Sequence, residues 1–142
     1  MILVAGDHLA LDLAGLVGSW LKEKEFEFKN VGASSQKEVL PLVEMVPKVA
    51  RPIQSNEATS GILICGTGAG VEIGANRFKG IRASLCIEAR QAEWARIYDN
   101  ANVLCLSAWI TDRPDSILDA WFGNDFDGDP DRAQMIKGFD EF

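Results

Sequence analysis

The run Cys65-Gly66-Thr67-Gly68-Ala69-Gly70 places three glycines in five positions directly ahead of a helically patterned segment. Glycines at that spacing let backbone N–H groups converge, and the start of a helix adds positive partial charge. Such a loop suits a phosphate, or the oxyanion of an enediolate. It suits equally well the close packing of a helix on a strand, for which many α/β proteins use a glycine-rich turn. A second polar group, Gly6-Asp7-His8, follows the first apolar run, and His8 is the chain's single histidine.

The elements that must position these residues are short apolar runs alternating with longer amphipathic ones. Ile2–Gly6, Phe26–Val31, Gly61–Cys65, Arg82–Cys86 and Val103–Leu106 read as strands, bounded by Gly, Asp or Asn. Between them Leu9–Lys24, Val39–Gln54, Gly70–Arg77, Ala89–Tyr98 and Pro114–Phe122 read as helices. In the first, Leu9, Leu13, Leu16, Val17, Trp20 and Leu21 recur at helical spacing. Pro47 and Pro52 predict a broken or kinked second helix. Strands alternating with helices imply right-handed crossovers and a five-stranded parallel sheet covered on both faces. Open parallel sheets bind ligands at the carboxyl ends of their strands, where Asp7, His8 and the glycine loop fall.

Composition narrows the class of partner. The 142 residues carry 14 Lys and Arg against 21 Asp and Glu, a formal charge of −7. That balance speaks against nucleic acid and against an anionic membrane, and calls for locally concentrated positive potential if the ligand is an anion. Acidity is strongest from Asp112 to Phe142. Charged residues interrupt every apolar stretch before it reaches the ~20 residues of a spanning helix. The Met1 end lacks a basic region and reads as a first strand. Three cysteines, Cys65, Cys86 and Cys105, are an odd number in apolar segments, which fits reduced thiols in a cytoplasmic protein. No CxxC pair or histidine cluster points to a metal site. Residues 1–142 are expected to form one domain, with 124–142 as a C-terminal tail.

The stretch Gly61-Ile-Leu-Ile-Cys-Gly-Thr-Gly-Ala-Gly-Val-Glu-Ile-Gly-Ala-Asn-Arg-Phe-Lys-Gly-Ile-Arg-Ala83, with Val4-Ala-Gly-Asp-His8 and Asn100-Ala-Asn-Val-Leu104, resembles the signature of the ribose-5-phosphate isomerase B and galactose-6-phosphate isomerase A family. The resemblance covers essentially the whole chain. It implies a three-layer α/β/α, Rossmann-like domain and an aldose–ketose isomerase working through an enediolate, with no cofactor or metal. Cys65 matches the family's catalytic base, and a thiolate there would be stabilised by the dipoles of the adjoining loop. Its plainer reading is a small buried hydrophobe, and for Cys86 and Cys105 that reading is preferred. Thr67 and the amides of Gly66, Gly68 and Gly70 match an anion cradle. Asp7 matches a group that hydrogen-bonds sugar hydroxyls, and His8 one near the phosphate end; capping the first helix is the alternative for His8. Asn76 and Asn102 match positions near the site, with helix-end or strand-start roles as the alternative. The family also implies a homodimer or homotetramer, or a hetero-oligomer with a related subunit. The tail would take part in the dimer, and each site would be completed by the partner.

Several positions depart from the pattern. The family's Arg-x-His-Asn-Asp run is Arg96-Ile97-Tyr98-Asp99-Asn100 here, so Tyr98 stands where the ring-opening histidine would be, with Asp99 beside it as a substrate contact. A tyrosine donates a hydrogen bond but shuttles protons poorly at neutral pH. Leu40 replaces a tyrosine, and Trp109 an arginine that contacts phosphate. Of the basic tail only Arg132 remains as a candidate. A pentose or hexose phosphate isomerase is the first reading. A second is an isomerase of a tetrose 4-phosphate, which cannot close a furanose ring because the oxygen needed carries the phosphate. A third is a weakly active or non-catalytic subunit, or a sugar-binding relative.

Overall fold

In the computed structural model, which describes residues 1–142, the elements run β1 (Ile2–Gly6), α1 (Leu11–Glu23), β2 (Phe28–Asn30), α2 (Leu42–Gln54), β3 (Ser60–Cys65), α3 (Ala69–Ala75), β4 (Ala83–Leu85), α4 (Ala89–Asp99), β5 (Val103–Ser107), α5 (Asp115–Phe122) and α6 (Pro130–Phe139). All five strands are parallel, in the order β2-β1-β3-β5-β4. Strands covered on both faces need apolar side chains at consecutive positions, and β1, β3 and β5 have them. Ile62 and Ile64 pack with α1, α4 and α5, whereas Leu63 and Cys65 pack with α2 and α3. The result is a three-layer α/β/α sandwich of Rossmann-like type.

The second helix departs from expectation. Despite Pro47 and Pro52, α2 runs unbroken over Leu42–Gln54. Met45, Val46, Val49, Ala50 and Ile53 form one fully packed stripe against the sheet. The carbonyls that each proline leaves without a donor belong to Val43 and Lys48, both exposed, so water can satisfy them. The second strand is shorter than expected because Glu25 turns the chain at φ 61°. Phe26 leaves the sheet to stack with Trp20 and Phe122, at centroid distances of 5.8 and 4.8 Å.

The tail from 124 to 142 contains a helix beyond those expected from the periodicity. Asp129 caps α6, its side chain accepting from the N–H groups of Asp131 and Arg132 at 3.0 Å. Pro130 follows at the first helical position, and α6 lies against α4.

Burial decides the state of two thiols. It pushes Cys86 from its ordinary value near 9 up to about 11, and it raises Cys105 well above that value. An unfolded chain releases these protons near pH 9, while the folded chain holds them longer. Stability is therefore unaffected by them below that pH and falls as pH rises from about 9 through about 11. Urea midpoints measured across that range should decline, and the decline should be shallower in Cys86→Ala.

Candidate active site

The strand order reverses between β1 and β3, which opens a crevice at their carboxyl ends. Asp7 and His8 leave β1 there, and Gly66–Gly70 leave β3. Cys65 is the last residue of β3 and only 4% exposed. Its sulfur accepts a hydrogen bond from the Gly68 N–H at 3.2 Å and lies 4.0 Å from the Thr67 hydroxyl. Thr67 is exposed, and its Oγ1 accepts from the Ala69 N–H at 3.2 Å. The loop can only take this shape with glycine at 68. Its φ is +75°, and a β-carbon would sit 2.5 Å from Leu85 Cδ1 and 3.0 Å from the Leu106 carbonyl carbon. Gly70 is also close-packed, since a β-carbon there would lie 2.8 Å from Leu42 Cδ1.

Asp7 is buried, and its Oδ1 accepts from the Leu9 N–H at 3.0 Å, which closes the turn into α1. His8 does not cap that helix, whose cap position is Ala10 with no side-chain bond. Instead, His8 Nδ1 is buried without a partner, as is Thr111 Oγ1 in the loop after β5.

That loop is fastened to the loop carrying Cys65. Ala108 N–H donates to the Cys65 carbonyl at 2.9 Å and Trp109 N–H to the Gly66 carbonyl at 3.1 Å. Ser107 Oγ donates to the same Gly66 oxygen at 2.8 Å. Residue types and spacing did not single out Ser107; a buried hydroxyl ending an otherwise apolar strand was the available signal.

Other candidates lie at the opposite edge. Helix α4 runs back from the carboxyl ends, so Tyr98 and Asp99 reach the amino end of the sheet. Within one chain they are roughly a strand length, ~15 Å, from Cys65. The Arg132 guanidinium stacks on the Tyr98 ring at 4.7 Å and pairs with Asp127 at 2.6 Å and Asp129 at 3.8 Å. A cavity of about 380 Å³ lies at this edge, lined by Arg77, Phe78, Arg82, Asp99, Phe139 and Phe142 among others.

Asn76 and Asn102 both bond backbone in the structure. Asn76 donates to the Ala83 carbonyl at 2.9 Å and accepts from the Ala83 N–H at 2.8 Å. Asn102 accepts from the Arg82 N–H and donates to the Gly80 carbonyl, both at 2.9 Å. Each side chain therefore holds the backbone leading into β4. Asn102→Ala should cost about 2 kcal/mol in chemical denaturation, because two backbone groups lose their partner. Substrate KM should not change.

Four further arginines have partners of their own. Arg82 donates to the carbonyls of Asn100 and Gly80 and pairs with Asp140 at 3.4 Å. Arg96 bonds the Asn124 and Ala101 carbonyls, and burial pulls its pKa down. Arg90 lies over Trp94 at 5.7 Å, and Arg113 pairs with Asp115 at 3.2 Å. No three metal-binding side chains converge anywhere in the chain.

The topology and the chain as a whole agree with known proteins. Residues 2–137 match the Ribose/Galactose Isomerase family. Among solved structures, a ribose 5-phosphate isomerase from Thermotoga maritima is 38% identical and superposes with a TM-score of 0.93, covering 99% of this chain and 97% of that one. A Mycoplasma genitalium ribose-5-phosphate isomerase B with bound ribulose-5-phosphate is 33% identical, with a TM-score of 0.91 over 99% of this chain and 93% of that one. A 4-deoxy-4-sulfo-D-erythrose isomerase of Clostridium sp. is 36% identical, covering 77% of this chain and 69% of that protein. This chain belongs to the Ribose/Galactose Isomerase family.

Proposed function

We propose that the chain interconverts an aldose and a ketose of a phosphorylated sugar, of the ribose 5-phosphate or galactose 6-phosphate type, with Cys65 as the base. The observation that carries this reading is the Cys65 sulfur, held at the carboxyl end of the central strand by the Gly68 N–H at 3.2 Å. As thiolate, Cys65 takes the proton from C2 of the open-chain aldose. The electron pair moves to the C1–C2 bond, and the carbonyl oxygen becomes the enediolate oxyanion. Backbone N–H groups of the glycine loop other than those of Gly68 and Ala69, which are bound within the loop, stabilise that charge. The thiol returns its proton to C1, and the proton on O2 passes to O1, leaving the ketose. Thr67 Oγ1 accepts from Ala69 and lies 4.0 Å from the Cys65 sulfur, so its own hydroxyl proton serves the thiolate or the substrate oxygens.

In this reading a second copy of the chain brings Tyr98, Asp99 and Arg132 to the site, since one chain holds them at the other edge. Tetrose substrates form a second reading, favoured by Tyr98 at the ring-opening position. The Clostridium relative's name gives it a four-carbon sugar bearing sulfonate at C4, which likewise cannot form a furanose.

Proton NMR in D2O tests the function. The purified chain should place deuterium at C1 or C2 of ribose 5-phosphate or erythrose 4-phosphate, and sedimentation should show more than one chain per particle. The faster sugar selects between the two readings. No exchange on any sugar phosphate would leave a non-catalytic subunit or binding protein.

A further inference from the structure

The chain's four indoles differ in what they touch. Trp20 (7% exposed) and Trp121 (1%) belong to the core, and each also meets a cation, Lys24 and Arg96 respectively. Trp94 is 48% exposed beneath Arg90. Trp109 alone stacks with neither a ring nor a cation, and it is 68% exposed.

Trp109 is nevertheless firmly placed. Its ring rests on the Cα of Gly66, so closely that a β-carbon there would lie 2.6 Å from both Cε2 and Cζ2. Its backbone N–H is bound to the Gly66 carbonyl, and Ser107 fixes the same oxygen. The indole thus lies against the residue next to Cys65, while most of Trp109 remains exposed. A large apolar ring held rigidly at the edge of a reaction site is a surface for the C–H face of a sugar. It also brings no charge. The only cation of its loop, Arg113, is turned to Asp115.

We propose that Trp109 determines how long a sugar the site admits: the indole packs on the carbon chain and bars the space beyond, into which a longer sugar phosphate would extend its anion. The inference rests on the isomerase reading above. A compact substrate keeps its anionic end short of the ring, whereas a longer one must lay that group against indole.

The test is the ratio of kcat/KM for ribose 5-phosphate to that for erythrose 4-phosphate. Trp109→Ala should raise this ratio by about tenfold or more, the scale on which one carbon is discriminated in an apolar pocket. Trp109→Phe, which keeps a flat wall, should stay near the wild-type ratio. Should the alanine variant not fold, Trp109→Leu gives the same reading. If both sugars change by one common factor, Trp109 is structural and the inference is overturned. It is overturned equally if the ratio is unchanged and sedimentation shows the particle falling apart, which would make Trp109 an interface residue. Failure of the isomerase reading is distinct: wild type would then show no Cys65-dependent exchange with either sugar, and both claims would fall.

Discussion

Cys65→Ala is expected to lower kcat by about 10³-fold and to abolish deuterium exchange at the substrate carbons, the effect of deleting a positioned general base. No second thiol stands beside it. The nearest protic side chain is Thr67, 4.0 Å from the sulfur, and a hydroxyl is a far weaker base than a thiolate. Cys86 and Cys105 are buried, with their ionisation pushed upward. The variant should fold, since the change removes one sulfur atom from the end of a strand and leaves the backbone bonds there intact. Cooperative unfolding close to that of wild type, together with lost exchange, is the required pair of results. A variant that keeps exchange would make Cys65 a packing residue and end the mechanism proposed for it.

The second large effect is expected at Gly68. Alanine there forces a left-handed φ of +75° on a residue with a β-carbon, and drives that carbon into Leu85 and the backbone of Leu106. Strain of ~1–3 kcal/mol and overpacking of similar size should together lower stability by about 3 kcal/mol. Leu85 can swing aside, but the Leu106 backbone belongs to a central strand and cannot. The loop must shift, and with it the N–H that holds the Cys65 sulfur. Urea denaturation should show the loss of stability, and kcat should fall while the far-UV spectrum persists. Unchanged stability and turnover would mean that the loop deforms freely and holds nothing in register.

Much of this architecture is legible in the residues. Ile62–Ile64 and Val103–Leu106 are uninterrupted apolar runs, the mark of strands covered on both sides, so β3 and β5 are located nearly to their ends. The glycine loop is visible because its residue types are restricted by backbone geometry. Helix α6 is faint because Ile136 is its one buried residue, although Asp129-Pro130 is a legible helix start. The continuity of α2 depends on tertiary packing overriding two prolines. The partners of Asn76 and Asn102 are hidden for a related reason: an amide's partners are set by which backbone passes it, 7 and 20 residues away. Nor does the sequence reveal that the Trp109 ring lies on Gly66, a contact made across two loops.

The fastening of the β5 loop to the backbone of Cys65 and Gly66 also bears on how new specificities arise in such a chain. Three bonds at the root of that loop, from Ser107, Ala108 and the Trp109 N–H, are made by atoms that survive exchange of the side chains at 108–113. The proton-transfer apparatus and the choice of sugar thus sit on separate segments with a fixed joint between them. Random substitution confined to 108–113 would accordingly sample new substrates while leaving the thiol in place, a division that makes the segment a well-bounded target for directed evolution.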